Sequence, residues 1–254
     1  MGPRTIQISS LSGEHVKLGI IVALSEELKS LTDQKVVSGS SFKLNDDVYL
    51  SLSGAGPERA AEAATQLVEQ GVNALLSWGC AAGLTSALKP GSLLIPEQIQ
   101  CENGILLPVD SDWHNRLFHF LSGKLQIQKG CLLESEQIVS EPDEKKLLYE
   151  KSQAIAVDME SGAIAKVAQK NKSIFLAVRA IADTGNRRIP QCVINSMDSR
   201  GQIRKLHLFK QSMLHPFEWF TLAYLGHQFS AAKRKLKEVA TISPTNFLCQ
   251  EPYT

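Results

Sequence analysis

The sequence predicts a three-layer α/β/α domain around a mixed, largely parallel central sheet, with a helical C-terminal extension. Lys17 to Leu24 is a continuous apolar run of strand length, as suits a strand covered on both faces, and Ser25-Glu26-Glu27-Leu28 opens a helix directly after it. Ala154 to Gly185 reads as strand, helix and strand. The apolar run Ala154 to Val157 comes first, Ala163, Ile164, Val167 and Ala168 then recur at helical spacing, and the β-branched run Ile174 to Ile181 follows. Of 254 residues, 43% are hydrophobic and 21% charged, which excludes a disordered chain and leaves room for a large core.

Taken in order, Ser25 suits the N-cap of the first helix, and Glu26 and Glu27 suit its first turn. A hairpin is expected through Lys35 to Leu44, turned at Gly39, and then a strand over Val48 to Leu52. That strand runs into Ser53-Gly54-Ala55-Gly56-Pro57, where Pro57 starts a helix that stops at Gly71. A Gly-rich turn at a helix start lets backbone approach a ligand. Asn73 to Trp78 is a further apolar strand, ending in the turn Gly79-Cys80-Ala81-Ala82-Gly83-Leu84. After a turn and strand over Pro90 to Pro96, Asp110 to Leu121 reads as a helix capped at Asp110 or Ser111. Its histidines, His114 and His119, are five apart and do not share a face as metal ligands would, so they read as surface or interface groups. Gln126 to Leu133 is another strand, and Pro142 to Lys151 a short charged helix with a solvated face.

Several function classes are excluded or disfavoured. Lys and Arg total 27 against 26 Asp and Glu, so no global charge points to nucleic acid. The five cysteines are dispersed, with no pairing at zinc spacing, so reduced buried thiols and no metal are expected. No stretch has the length and apolar character of a membrane span, and Met1 to Val16 lacks a signal-peptide core. A cytoplasmic protein is expected.

The chemistry gathers in the stretch Ala154 to Gly185. If it forms a parallel βαβ unit, its first strand delivers Asp158 and Glu160 and its second Arg179 and then Asp183, so that four charged groups converge outside the carboxyl ends, where open α/β sheets bind ligands. The same residues also have plain structural uses. Asp158 suits a helix cap, Glu160 the positive end of that helix, and Asp183 a turn before Thr184-Gly185.

Val157-Asp158-Met159-Glu160, followed by Val178-Arg179-Ala180-Ile181-Ala182-Asp183, resembles the paired signature of the nucleoside phosphorylase and nucleosidase family, which includes the methylthioadenosine/S-adenosylhomocysteine nucleosidases. The similarity covers most of Lys17 to Gly185. It implies that Met159 lies at the ribose, that Glu160 binds the ribose hydroxyls, and that Asp183 protonates the purine at N7. Asp158 stands where the nucleosidases have another glutamate. Gly19 to Leu28 resembles the family's first strand and acidic turn, which puts Glu27 on the carboxylate that handles the attacking water. Ser53, Ala55 and Gly56 match the turn at the ribose and nucleophile, and Cys80 and Gly83 lie in the family's Gly-Ser-Ala-Gly-Gly-Leu turn. Ile138 and Val139 take the place of residues that face adenine, with an aliphatic contact in place of an aromatic one. For Cys80 a packing role outweighs a nucleophilic one, since no His is near it in sequence.

The resemblance implies cleavage of the N-glycosidic bond of a purine nucleoside, with no metal or organic cofactor. Phosphorylases of this superfamily place an arginine after the first strand and some a second near Trp78. Neither is present, which favours water over phosphate, while phosphorolysis with phosphate as co-substrate stays open through Arg187 and Arg188. The other class of reading is a non-catalytic nucleoside or lipid sensor. The family also implies a homo-oligomer.

Past residue 198 the composition changes. Arg200 to Glu238 holds eight Lys or Arg against two Glu, around an aromatic-rich stretch that Pro216 divides into two helices. The second is apolar nearly all round, so it is sunk in the core or an interface, or faces something greasy. The division expected is a catalytic domain over 17–198, a helical extension packed on it over 199–240, and an irregular tail over 241–254. A turn over Asp198 to Ile203 followed by paired helices resembles the hopanoid-associated phosphorylase branch of the family. That resemblance implies an adenosylhopane-like substrate and peripheral contact of 204–238 with the inner face of the membrane.

Overall fold

The computed structural model describes residues 16–196, 198, 201 and 219–242. Its centre is an eleven-stranded sheet with helices on its faces, the α/β class expected. β1 (Leu18–Val22) is buried along its whole length and lies between β3 (Val48–Leu52) and the first half of β4 (Ala74–Gly83), parallel to both. Its continuous apolar run is what a strand covered on both faces requires. β2 (Ser40–Lys43) pairs antiparallel with β3. The hairpin is therefore turned at residues 45–47 and not at Gly39, because Phe42 pairs with Leu50 and places the apolar side of both strands together.

β4 is longer than expected. The Gly-rich segment after Trp78 stays in the strand to Gly83, because β11 (Ile174–Asp183) pairs with it in parallel along its whole length. On its other edge β1 ends opposite Trp78, and β10 (Ala156–Asp158) takes over, antiparallel, opposite Gly83 and Ala82. This corrects the expected parallel βαβ unit. β10 and β11 flank β4 on opposite edges and run in opposite senses. The outer strands are β5 (Leu93–Leu94), β6 (Gln98–Gln100), β7 (Leu106–Pro108), β8 (Ile127–Gln128) and β9 (Cys131–Glu134). β8 and β9 divide the expected strand over Gln126 to Leu133, interrupted at Gly130, whose φ of 145° suits a residue without a side chain.

α1 (Ser25–Leu28) is a single turn capped by Leu24 and not by Ser25, since the Glu27 carboxylate folds back to accept the Leu24 N–H. α2 (Pro57–Glu69) and α5 (Ser161–Lys170) pack together, α2 burying Ala60, Ala63, Ala64 and Leu67. α3 (Ser111–Ser122) is capped by Asp110, which accepts the Trp113 N–H. His114 is buried within the chain, against the surface or interface placement expected, and its Nε2 lies 3.1 Å from the Ile95 carbonyl oxygen. α4 (Pro142–Ser152) is exposed or half-buried except at Lys145, which is wholly buried, so the solvated face expected there has one strong exception. α6 (Gln191–Asn195) is short.

α7 (Trp219–Ile242) belongs to the extension and packs on β11. Gln228, Ala232, Leu236 and Val239, three or four apart, form its buried stripe. Tyr224, nearer its start, is 45% exposed, so this part is not sunk into the core of the described chain. The first of the two expected helices, Pro216 and the tail beyond Ile242 lie outside the described residues. Among the described residues no helix is long and apolar enough to cross a membrane.

Candidate active site

The strand pairing that overturns the βαβ expectation also builds the site. Val157 and Asp183 both register with Ala82 of β4, one from each edge. Antiparallel β10 and parallel β11 therefore bring their carboxyl ends to one point, and a register shift between Ile181 and Asp183 re-aims the second end. There a cavity of about 340 Å³ is lined by Glu27, Asp158, Met159, Glu160 and Asp183, with Ala55, Cys80, Ile138, Val139 and, from the extension, Phe229.

Glu27 is 3% exposed, whereas Glu26 turns outward to Lys29 and Lys233. The Glu27 carboxylate accepts the Cys80 N–H at 2.7 Å and the Leu24 N–H at 3.1 Å. Burial pushes its carboxyl up, against those two hydrogen bonds and the Arg179 charge. Glu160 precedes α5, where Gly56 donates its N–H to Oε1 at 2.9 Å. Burial first, and the neighbouring Asp158 charge second, push Glu160 up to about 8. Asp183 is 5% exposed and bonded to the Lys145 Nζ, and burial raises its carboxyl although that ammonium pulls the other way.

Asp158 and Arg179 form a buried pair. Arg179 Nε and Nη2 lie 2.8 and 2.7 Å from Asp158 Oδ2, and Nη2 also donates to the hydroxyls of Ser77 and Ser161. Asp158 reaches the cavity, but Arg179 stays beneath it, so its expected place on a ligand is corrected to that of a buried partner. Ser53 and Gly83 also lie off the cavity lining. The Ser53 hydroxyl donates to the Val22 and Gly54 carbonyls, and Gly83 backs onto the Asp183 carbonyl. Gly56 reaches the site only through its bond to Glu160. The Cys80 thiol is held well above its ordinary value by burial and then by the Glu27 charge, so it is no ready nucleophile.

Sequence reasoning missed Lys145, taken as solvated, and Phe229, which sits in a helix with no local motif. Asp198 and Gly201 line the cavity too, from a segment that the sequence marks only as a turn. Among the described residues no group of three or more His, Cys, Asp or Glu side chains is arranged to hold a metal ion.

Buried strand-end carboxylates around one open cavity define an α/β domain with a candidate small-molecule site at the carboxyl ends of its strands. The phosphorylase superfamily model matches residues 17–198, and the chain belongs to that superfamily. It is 23% identical over 202 residues to the 5'-methylthioadenosine/S-adenosylhomocysteine nucleosidase of Bacillus licheniformis, covering 68% of this chain and 87% of that one. It is 26% identical over 203 residues to the enzyme of the same name from Buchnera aphidicola, covering 68% and 80%. Among solved structures, the S-adenosylhomocysteine nucleosidase of Streptococcus pyogenes superposes with a TM-score of 0.67 at 19% identity, covering 96% of this chain and all of that one. The futalosine hydrolase of Helicobacter pylori does so with a TM-score of 0.64 at 18% identity, covering 89% and 97%.

Proposed function

We propose that the protein is an enzyme that cleaves the N-glycosidic bond of an adenine nucleoside, with water as the nucleophile. One observation carries the choice of water. Glu27, Asp158, Glu160, Asp183 and Asp198 line the cavity, and among the described residues no lysine or arginine does. Such a lining offers a phosphate dianion no cation to bind, and its carboxyl oxygens favour the positive charge that develops on the sugar as the bond breaks. In this mechanism Asp183 gives a proton to N7 of the departing base, Glu160 takes hydrogen bonds from the ribose hydroxyls, and Glu27 orients the attacking water. Glu27 suits that task because backbone N–H groups fix both of its oxygens. No metal or organic cofactor takes part. The relatives named as nucleosidases support the same chemistry.

The proposed substrate carries an apolar 5' substituent of the adenosylhopane kind. Its support is the apolar part of the lining, Ile138, Val139, Met159, Ile189 and Phe229. A volume of about 340 Å³ is near the small end for ligand sites, roughly 300–1,000 Å³, so a large substituent would extend beyond the cavity. Phosphorolysis is the second reading. Arg187 and Arg188 border a separate cavity on the Asp183 side, which the cavity holding Glu27 does not include.

The test is release of free adenine from adenosine, methylthioadenosine and a long-chain 5'-alkyl adenosine, each with and without phosphate. Release without phosphate, greatest for the long chain and lost on Asp183→Asn, is the expected result. Strict phosphate dependence would make the protein a phosphorylase, and binding with no release from any substrate would make it a sensor. Two further proposals belong here. Homo-oligomer formation is read by light scattering, and lipid contact by vesicle flotation with and without residues 204–254.

A further inference from the structure

Among the described residues Lys145 is the one lysine that the fold buries completely, and it does so beside a candidate catalytic carboxylate. Its Nζ donates to Asp183 Oδ2, to the Thr184 carbonyl at 3.2 Å and to the Arg187 carbonyl at 2.9 Å. Three acceptors meet the three N–H donors of an ammonium, so the group is fully satisfied where it sits. The surrounding contacts tie the same two pieces of chain together. Ile189 N–H donates to the Ser140 carbonyl at 3.0 Å, and Arg188 lies 2.9 Å from Glu141. The start of α4 is thus fastened to the segment that leaves β11, and Lys145 is the inner fastening. Burying a charge is expensive unless its partner is well placed, and an exposed surface was available to the rest of α4.

We propose that Lys145 is the positioning residue of Asp183, holding the carboxyl by Oδ2 so that Oδ1 meets the base. This deepens the function proposed above and rests on it for the identity of the base. Oδ1 has no hydrogen-bond partner among the described residues. During the reaction the Asp183 carboxyl proton passes to N7 while the electron pair of the sugar–base bond leaves with the base. Lys145 gives up no proton in that step. Its charge makes the carboxyl a stronger acid than burial alone would allow, and its three bonds fix where that acid points. The other charged groups facing Asp183 are Arg187 and Arg188 on the loop side, and Glu27, Asp158, Glu160 and Asp198 across the cavity.

Two readouts test this in the full-length protein. The first is the carbon-13 carboxyl resonance of Asp183, assigned by its loss in Asp183→Asn and followed against pH. In Lys145→Met and Lys145→Gln its midpoint should rise by about one pH unit or more, the usual reach of an adjacent opposite charge, while Lys145→Arg should hold it near the wild-type position. Lys145→Gln still donates to the two carbonyls, so it keeps the question open to test if Lys145→Met fails to fold. The second readout is adenine release against pH. The alkaline limb should move up in the neutral variants, with kcat about tenfold lower or less than that at the optimum and KM little changed, as loss of orientation predicts. An unmoved midpoint in folded Lys145→Gln would overturn the proposal. If the wild type releases no base, the function proposed above fails, and the resonance still decides the role of Lys145.

Discussion

Gly79 is a glycine because Glu27 occupies the space that a side chain there would fill. A Cβ at this position would lie 2.9 Å from Glu27 Oε1 and 3.0 Å from its Cδ, closer than real contacts allow. Gly79→Ala should therefore push the carboxylate off the Cys80 N–H without touching any proposed ligand atom. Displacement of a catalytic group by about 1 Å costs roughly a hundredfold in rate, so adenine release should fall by that order while the far-ultraviolet circular dichroism stays that of the wild type. Asp183→Asn removes the acid at the base and should lower release by about 10²–10⁴-fold, the usual worth of a positioned acid. Single-turnover measurements would assign that loss to the chemical step, and an unchanged rate would remove Asp183 from the mechanism.

Among the elements, those whose burial follows a simple period were legible in the sequence, and those set by distant pairing were not. β1, β3 and α2 came out of apolar runs and a proline at a helix start, because local composition alone decides them. The sense of β10 did not, since three residues carry no mark of which strand they will join or in which direction. The site was legible through Glu27, Asp158, Glu160 and Asp183, which end or follow strands, and it was blind to Lys145 and Phe229. A lysine within a charged helix reads as solvated, and only the fold shows that it faces Asp183. The extension shows the same division. Its aromatic stretch suggests a helix apolar nearly all round, sunk in the core or an interface or facing something greasy; α7 leaves Tyr224 of that stretch exposed and buries Leu236, further along, completely. Leu236→Ala should cost about 2–5 kcal/mol, the range for emptying a core leucine site, whereas Tyr224→Ala should stay within about 0.5 kcal/mol. Urea unfolding of both variants checks the pair of values, and equal losses would mean that α7 packs differently.

For the molecule as a whole, gathering buried acids around one cavity has a cost in stability that depends on pH. Glu160 rises from an ordinary 4.5 to about 8 in the folded protein, so between those values the folded chain keeps a proton that the unfolded chain has lost. The unfolded state then binds fewer protons, and stability must fall as pH rises from about 4.5 towards 8, levelling off above it. Glu27 and Asp183 are raised as well and push in the same direction. Glu160→Gln removes the Glu160 contribution while keeping the shape of the side chain. It should melt higher than the wild type near pH 8, with the gap closing as the pH approaches 4.5, and it should release adenine roughly two- to tenfold more slowly, since a hydrogen bond to substrate between uncharged groups is worth about 0.5–1.5 kcal/mol. Thermal unfolding at several pH values reads the first effect and adenine release the second. A gain in stability that accompanies a loss of activity would mark Glu160 as a group kept for its chemistry at the fold's expense. Equal melting temperatures across the pH range would show instead that Glu160 is ionised in the folded protein, its charge already balanced by the Gly56 N–H and the Arg179 guanidinium.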